Sequence, residues 1–321
     1  MSSAVLLTAF GGPDRAEAVG PFMARLMGRE PEERLVDAVT ARYRAIGGCS
    51  PLPAIAESVA SLLAEELRSR GHDVAVRVGM RYWHPLIGES VDALAAGGAD
   101  RLVTVSLSPF ESKVSSVAYR EAVMEAKARR PGLSVAEAPM LHRAPAFTAA
   151  LEEAAARAVD AAAAAGRALA LFTAHSLPLD DLLSDDPYVR EVRATAEEVA
   201  GRLGLGADDT GEVALGGTSA WGDLRGERPW IVAYQSKGRR PGAWLGPDLE
   251  DMLEAAAEAG FEAVAVCPVG FATDHMETVY DLDVSAAERA RDLGLAFERA
   301  EAPNDRPLLI EALRSLVEPL L

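Results

Sequence analysis

Several things are scarce in this sequence, and each shortage removes a class of protein. Only two cysteines occur in 321 residues, Cys49 and Cys267. They are too few for a disulfide framework or for a four-cysteine zinc or iron–sulfur site, and a reducing cytoplasm is the expected compartment. Basic residues are outnumbered, with 32 Lys+Arg against 49 Asp+Glu and a formal net charge of -17. A nucleic-acid binder draws much of its affinity from phosphate neutralisation and carries a basic footprint, so no nucleic-acid partner is expected. No apolar run approaches the roughly 18 residues that a spanning helix needs. Met1 to Phe10 is a short apolar run without a basic n-region or a small-residue cleavage site, and reads as a first strand rather than a signal peptide. Common motifs are missing too: no Gly-x-Gly-x-x-Gly after a strand, no Gly-x-x-x-x-Gly-Lys, no His-Glu-x-x-His and no Gly-x-Ser-x-Gly. Nucleotide, zinc-protease and hydrolase readings weaken together.

What is present is a globular composition, 49% apolar and 25% charged, over a length that suits two domains. Short apolar or β-branched runs ending in Gly, Pro or Ser alternate with longer helical stretches, the pattern of an α/β fold with parallel sheets. Strands are expected at Val5 to Phe10, Val74 to Val78, Leu102 to Leu107, Ala168 to Ala174, Glu212 to Leu215, Trp230 to Tyr234 and Ala263 to Cys267. Helices are expected at Ala54 to Arg70 and Asp248 to Ala259, with Gly71 and Gly260 at their C-caps, and over the alanine-rich stretch Ala149 to Ala165. The halves resemble each other. Leu6 to Pro13 aligns with Leu171 to Pro178, and Leu102 to Phe110 with Ala263 to Phe271, an offset that also sets Tyr119 over Tyr280. A duplicated α/β unit follows, with Phe10 and His175 at equivalent strand ends and the strand ends of both lobes facing a shared cleft.

Two stretches carry candidate chemistry. In Thr173-Ala174-His175-Ser176-Leu177-Pro178 a histidine ends a buried strand. Such an imidazole can accept a proton near neutral pH, bind a metal through a neutral nitrogen, or simply bond the local backbone. Ser176 is a poor nucleophile partner, because neighbours on an extended chain point to opposite sides. In Pro268 through Asp283, a helix starting near Asp274 would line up Asp274, Glu277 and Asp281 as an acidic stripe suited to a divalent ion in transit. The same Asp274-x-x-Glu277 spacing is also that of a capping box. His275 reads as structural.

These two segments, with Ala9-Phe10-Gly11-Gly12-Pro13, Arg42 through Leu52, Ser112 through Tyr119, Tyr234-Gln235-Ser236-Lys237-Gly238 and Trp244-Leu245-Gly246-Pro247, form an ordered set running almost end to end. That set resembles the ferrochelatase family, most of all the soluble, cluster-free coproporphyrin III ferrochelatases of Gram-positive bacteria. The resemblance implies two Rossmann-like lobes with parallel sheets, spanning 1–145 and 146–300, a substrate cleft between them, and a C-terminal helix over 301–321 packing back on the first lobe. It implies insertion of ferrous iron into a porphyrin. Two pyrrole protons must leave while the ion exchanges water for four nitrogens, so the site needs a base and weak ligands. By resemblance, His175 is the proton acceptor or metal ligand on one face of the macrocycle, Glu277 is its partner carboxylate, and Asp281 belongs to a path for metal or protons. Phe10, Arg42, Tyr43, Ser50 and Tyr119 match positions that line the porphyrin site. Arginine suits propionates because its fork meets a carboxylate in two bonds. Trp83, Trp244 and Met80 are candidates for stacking on the macrocycle or for ordinary core.

Three departures stand out. Phe10 occupies a position where the coproporphyrin-type enzymes often have a tyrosine able to ligate product iron. Leu26 or Met27 stands where a propionate-binding arginine is common, with Arg25 and Arg29 close by. Ser285 replaces an acidic residue that extends the carboxylate row in some relatives. The expected function is insertion of ferrous iron into coproporphyrin III in haem biosynthesis, by a cytoplasmic protein with no membrane insertion. The short N-terminus and the lack of an apolar C-terminal extension favour that substrate over protoporphyrin IX. Iron is a substrate; no resident cofactor and no iron–sulfur cluster are expected, and partners are the porphyrin, the iron and transiently the neighbouring haem-pathway enzymes. The alternatives are a cobalt or nickel chelatase acting on another tetrapyrrole, and a non-catalytic porphyrin or haem carrier. An acidic protein binding a substrate with four carboxylates needs a local positive rim, for which Arg25, Arg29, Arg42 and Arg44 are the candidates.

Overall fold

A strand buried on both faces shows an unbroken apolar run rather than alternation, and the runs at Val5 to Phe10, Leu102 to Leu107, Ala168 to Ala174 and Ala263 to Cys267 form the inner strands of two parallel sheets, while those at Val74 to Val78 and Trp230 to Tyr234 form one edge of each. The computed structural model describes residues 2–182, 186–206, 228–238 and 241–321. The strand expected at Glu212 to Leu215 lies outside the described residues. The chain forms two compact units, one of Met1–Phe147, Ala272–Met276 and Asn304–Leu321, the other of Thr148–Phe271 and Glu277–Pro303.

In the first unit β1 (Ser3–Ala9), β2 (Ala75–Met80), β3 (Arg101–Ser106) and β4 (Ser134–Glu137) are all parallel, in the order β2-β1-β3-β4. In the second, β5 (Ala168–His175), β6 (Trp230–Gln235), β7 (Ala263–Cys267) and β8 (Ala296–Arg299) repeat that order as β6-β5-β7-β8. Two strands were not anticipated, β4 and β8. Each is a four-residue edge strand, Ser-Val-Ala-Glu or Ala-Phe-Glu-Arg, without a fully buried residue, so neither shows the apolar run by which the others are recognised.

The helices are α1 (Val19–Met27), α2 (Glu33–Ala45), α3 (Leu52–Ser69), α4 (Ile87–Ala96), α5 (Ala118–Ala128), α6 (Pro145–Ala165), α7 (Pro187–Arg202), α8 (Leu249–Glu258), α9 (Met276–Val279), α10 (Ala287–Asp292) and α11 (Pro307–Val317). α3 and α8 end as the glycines suggested. Gly71 and Gly260 adopt φ of 94° and 75°, and the following N–H reaches back to the helix, His72 to the Leu67 carbonyl and Phe261 to that of Ala256. α11 packs on α3 and β3 within the first unit, where Arg101 Nε donates to the Leu320 carbonyl at 2.8 Å.

The acidic segment departs from the expected helix. It becomes helical at Met276, passes through a π-helical turn at Asp281–Ala286 and continues as α10. The turn is marked by the Ser285 N–H bonding the Tyr280 carbonyl, five residues back, at 2.9 Å. With Met276 the first helical residue, Glu277 falls at the second position rather than the third, so the Asp274-x-x-Glu277 capping spacing is not met. Asp274 is tied elsewhere: its N–H donates to Asn304 Oδ1 at 2.7 Å and its carboxylate accepts from Asn304 Nδ2 at 2.8 Å. At the other end Asp283 accepts two bonds from Arg299, at 2.6 and 2.8 Å. The expected stripe of Asp274, Glu277 and Asp281 therefore loses Asp274 and is shortened to Glu277 and Asp281. Leu282, Ala286 and Ala290 anchor this segment in the core that also holds Leu171, Val264, Val266 and Leu253.

Candidate active site

From Leu169 to Ala174 β5 is buried, and the chain emerges at His175, whose side chain is 29% exposed. Three contacts fix this strand end. His175 pairs in register with Gln235 on β6. Tyr188, in the first turn of α7, donates from its hydroxyl to the His175 carbonyl at 2.9 Å. Asp186 caps that turn by accepting from the Tyr188 N–H at 3.0 Å. Ser176 is fully buried, and its hydroxyl donates to the Leu245 carbonyl at 2.8 Å. A hydroxyl so placed is no nucleophile.

The imidazole tautomer follows from its neighbours. Nδ1 faces the Ser176 carbonyl, which can only accept, so Nδ1 carries a hydrogen. Nε2 lies 3.2 Å from Glu277 Oε1. A carboxylate also only accepts, so the pair holds one exchangeable proton between Nε2 and Oε1. Burial opposes the imidazolium, but the Glu277 charge, its hydrogen bond, the Ser176 carbonyl and the Asp281 charge outweigh it and raise the His175 pKa to about 8. The result is a base of usable strength whose lone pair has one direction, beside a carboxylate 39% exposed. Asp281 accepts from the Ser236 hydroxyl at 2.6 Å. Among the described residues no three His, Cys, Asp or Glu side chains converge to hold a metal ion. His175, Glu277 and Asp281 thus do not converge as a three-ligand metal site. Cys267 adds no thiolate, since burial pushes its pKa up to about 12.

The remaining candidates lie in the first unit. Phe10 follows β1, half-buried, its ring centroid 4.7 Å from that of Tyr82. Arg42 and Arg44 are exposed on α2, with Tyr43 buried between them. Ser50 is buried where its N–H meets the Pro13 carbonyl at 2.8 Å. The Gly11-Gly12 turn is needed for this packing. Gly11 has φ of 99°, and a Cβ on Gly12 would sit 2.5 Å from the Ser50 side chain. The ring of Tyr119 is buried in the core, with its hydroxyl 3.2 Å from Ser108 Oγ. Met80 and Trp83 are buried too, the indole N–H donating to Asp14 at 3.2 Å; Trp244 lies over Gly238 in the second unit. Arg25 and Arg29 are exposed, and Arg25 lies 3.5 Å from His84 Nε2.

The ferrochelatase family model matches residues 2–320. The chain belongs to the ferrochelatase family. A ferrochelatase of Thermus thermophilus is 35% identical over 347 residues, which cover 98% of this chain and 98% of the relative. A coproporphyrin III ferrochelatase of Geobacillus kaustophilus is 30% identical over 323 residues, covering 98% and 95%. The solved structure of SirB from Bacillus subtilis with Fe3+ superposes with a TM-score of 0.55 at 11% identity, covering 99% of this chain and 95% of that one, a likeness of fold alone. Family membership makes the chain an enzyme of iron insertion into porphyrin. Three residues around the pair had no assigned role in the sequence reading: Tyr188, Gln235 and Ser236. The Gln235-Ser236 dipeptide was visible as family-like, but its partner lies more than 40 residues away.

Proposed function

We propose that this ferrochelatase-family protein inserts ferrous iron into coproporphyrin III, with His175 and Glu277 removing the pyrrole protons. The observation that carries the reading is the His175 Nε2 to Glu277 Oε1 contact of 3.2 Å, with the tautomer set by the Ser176 carbonyl. In the reacting state His175 is neutral and Nε2 offers its lone pair to a pyrrole N–H. As the proton arrives, the Glu277 carboxylate stabilises the imidazolium. Insertion releases two protons for each iron bound, so a second acceptor is required, and Glu277 with Asp281 four residues on supplies the route outward. Carboxylate oxygens hold ferrous iron loosely enough for it to pass to four nitrogens.

Coproporphyrin III is favoured because its four carboxylates call for guanidinium partners, and Arg25, Arg29, Arg42 and Arg44 are exposed on α1, α2 and the connection between them. The substrate named for the Geobacillus kaustophilus relative agrees with that choice. Phe10, Tyr43, Ser50 and Tyr119 complete the proposed substrate contacts, with Phe10 unable to ligate product iron. We place the enzyme in the cytoplasm, without a resident cofactor and in transient contact with neighbouring haem-pathway enzymes; no helix among the described residues is long and apolar enough to cross a membrane.

An anaerobic assay decides the matter. Coproporphyrin III and protoporphyrin IX are each offered ferrous iron, cobalt or zinc, and metallation is followed by absorbance. The expected result is fastest turnover with coproporphyrin III and iron. Preference for protoporphyrin IX overturns the substrate, and tight porphyrin binding without insertion of any metal turns the protein into a carrier.

A further inference from the structure

Consecutive residues on an extended strand point to opposite sides, so neighbouring side chains at a strand end do not ordinarily reach one helix. Gln235 and Ser236, at the end of β6, do. Gln235 is 2% exposed, and its Nε2 donates to the main-chain carbonyl of Glu277 at 2.6 Å. That carbonyl can only accept, which fixes the amide orientation and leaves Gln235 Oε1 buried and, among the described residues, without a hydrogen-bond partner. Ser236 has φ of 60°, the left-handed region that side chains other than glycine avoid. This backbone breaks the strand alternation, and the Ser236 hydroxyl reaches Asp281 Oδ2 at 2.6 Å.

An orphaned buried acceptor and a strained backbone thus occupy adjacent residues, and both resulting bonds land on the segment carrying Glu277 and Asp281. Unfavourable local features of this kind persist where the surroundings over-determine them, and they gather at functional sites. The segment also needs outside support. α9 is a single turn followed by a π-helical turn, and so short a helix does not hold its own geometry.

We propose that Gln235 and Ser236 form a two-point clamp, positioning residues that hold Glu277 against His175 and set the direction of the Asp281 carboxylate. Gln235 is the register partner of His175. Through it the spacing of the β5–β6 pair is transmitted to Glu277, and the acid–base distance is set by sheet geometry. The clamp serves the iron-insertion reading of His175 and Glu277 and rests on it for its catalytic meaning.

Gln235→Met keeps the length of the side chain and removes its donor. Loss of such a supporting bond is expected to lower kcat by about 10- to 100-fold, with the KM for coproporphyrin III unchanged. In a Glu277→Gln background the same substitution should have almost no further effect, because Gln235 acts through Glu277. An equal loss in both backgrounds would mean general packing and would overturn the clamp. Ser236→Gly retains the left-handed backbone without strain and removes the hydroxyl; its loss of kcat should likewise vanish in an Asp281→Asn background. A crystal structure of Gln235→Met supplies a readout independent of activity. The His175–Glu277 separation should open beyond hydrogen-bond reach, and a distance still at 3.2 Å refutes the proposal. If Gln235→Met fails to fold, Gln235→Asn, with the amide withdrawn by one methylene, takes its place in both measurements. A wild-type enzyme that inserts no iron defeats the functional reading, while the crystal structure still judges the clamp.

Discussion

In the first unit the chain leaves the inner strand β1 at Phe10, whose ring rests against Tyr82; in the second it leaves the equivalent strand β5 at His175, whose Nε2 meets Glu277. The sheets have the same strand order. After the next inner strand, each chain enters a π-helical turn, Lys113–Val117 or Asp281–Ala286. Even here the contents differ. The first turn is bound up by hydroxyls, with Ser112 Oγ 2.6 Å from Ser115 Oγ, whereas the second begins with the carboxylate of Asp281. One scaffold, used twice, has titratable chemistry at a strand end in one copy and an aromatic ring in the other. A duplicated fold therefore fixes where a functional residue stands and leaves open what it does.

The sharpest way to break this asymmetry is to remove the pair. His175→Ala and Glu277→Gln are each expected to lower iron insertion by about 10²- to 10⁴-fold, the usual range for general acid–base catalysis. Phe10→Ala should change kcat far less. Single-turnover absorbance measures all three, with circular dichroism as the check on folding. Comparable losses for Phe10→Ala and His175→Ala would show that the two strand ends share the chemistry.

The next effect concerns pH. Since His175 must be neutral to accept a proton and its pKa is raised to about 8, kcat/KM should climb about tenfold per pH unit below that value and level off above it. Glu277→Gln removes the charge that outweighs burial, so the remaining activity should level off at a lower pH. The stability sign is opposite. A histidine with a raised folded pKa contributes stability below its unfolded pKa near 6.5, and the contribution fades as pH rises through about 8. Activity and the His175 contribution to stability thus run in opposite directions with pH, and thermal melts beside the rate profile test this. An unchanged rate profile in Glu277→Gln would remove His175 as the titrating base.

A smaller effect is expected in the first unit, where the proposed contacts are to substrate. Arg42→Ala should raise the KM for coproporphyrin III by about tenfold, about 1.4 kcal/mol, with kcat little altered. The increase should be smaller for protoporphyrin IX, which has two carboxylates fewer. A fall in kcat with KM constant would move Arg42 from substrate binding to the reaction.

How much of this could be read before the fold was known depends on how local the signal was. The inner strands were legible because double-sided burial leaves an unbroken apolar run, as in Leu169 to Ala174. Of the edge strands, β2 and β6 were still legible from apolar or β-branched residues at Val74 to Val78 and Trp230 to Tyr234, but β4 and β8 were not, since half-exposed tetrapeptides have no such run. His175 stood out by its place at a strand end. Glu277 was singled out by acidic spacing, yet the cap and stripe proposed for it gave way because Asp274 binds Asn304 and the helix starts later. Tyr188, Gln235 and Ser236 could not have been assigned from spacing. Their contacts to His175, Glu277 and Asp281 join residues 13, 42 and 45 positions apart, and only the tertiary fold makes them neighbours.

The smallest expected effect bears most directly on the comparison, because it gives the first unit a titratable strand end. Phe10→Tyr adds one hydroxyl to a half-buried ring packed against Tyr82, a change that should leave stability within about 1 kcal/mol. It restores a phenol where the coproporphyrin-type enzymes often carry one. A phenol has no role in taking protons from the pyrroles, so the rate of insertion should stay within a factor of about three. The iron product is a different matter, since a phenolate can ligate it. Its absorbance on the enzyme should shift and its release should slow. An unchanged product spectrum would mean that this strand end does not face the iron, and Phe10 would then belong to the packing of its own unit.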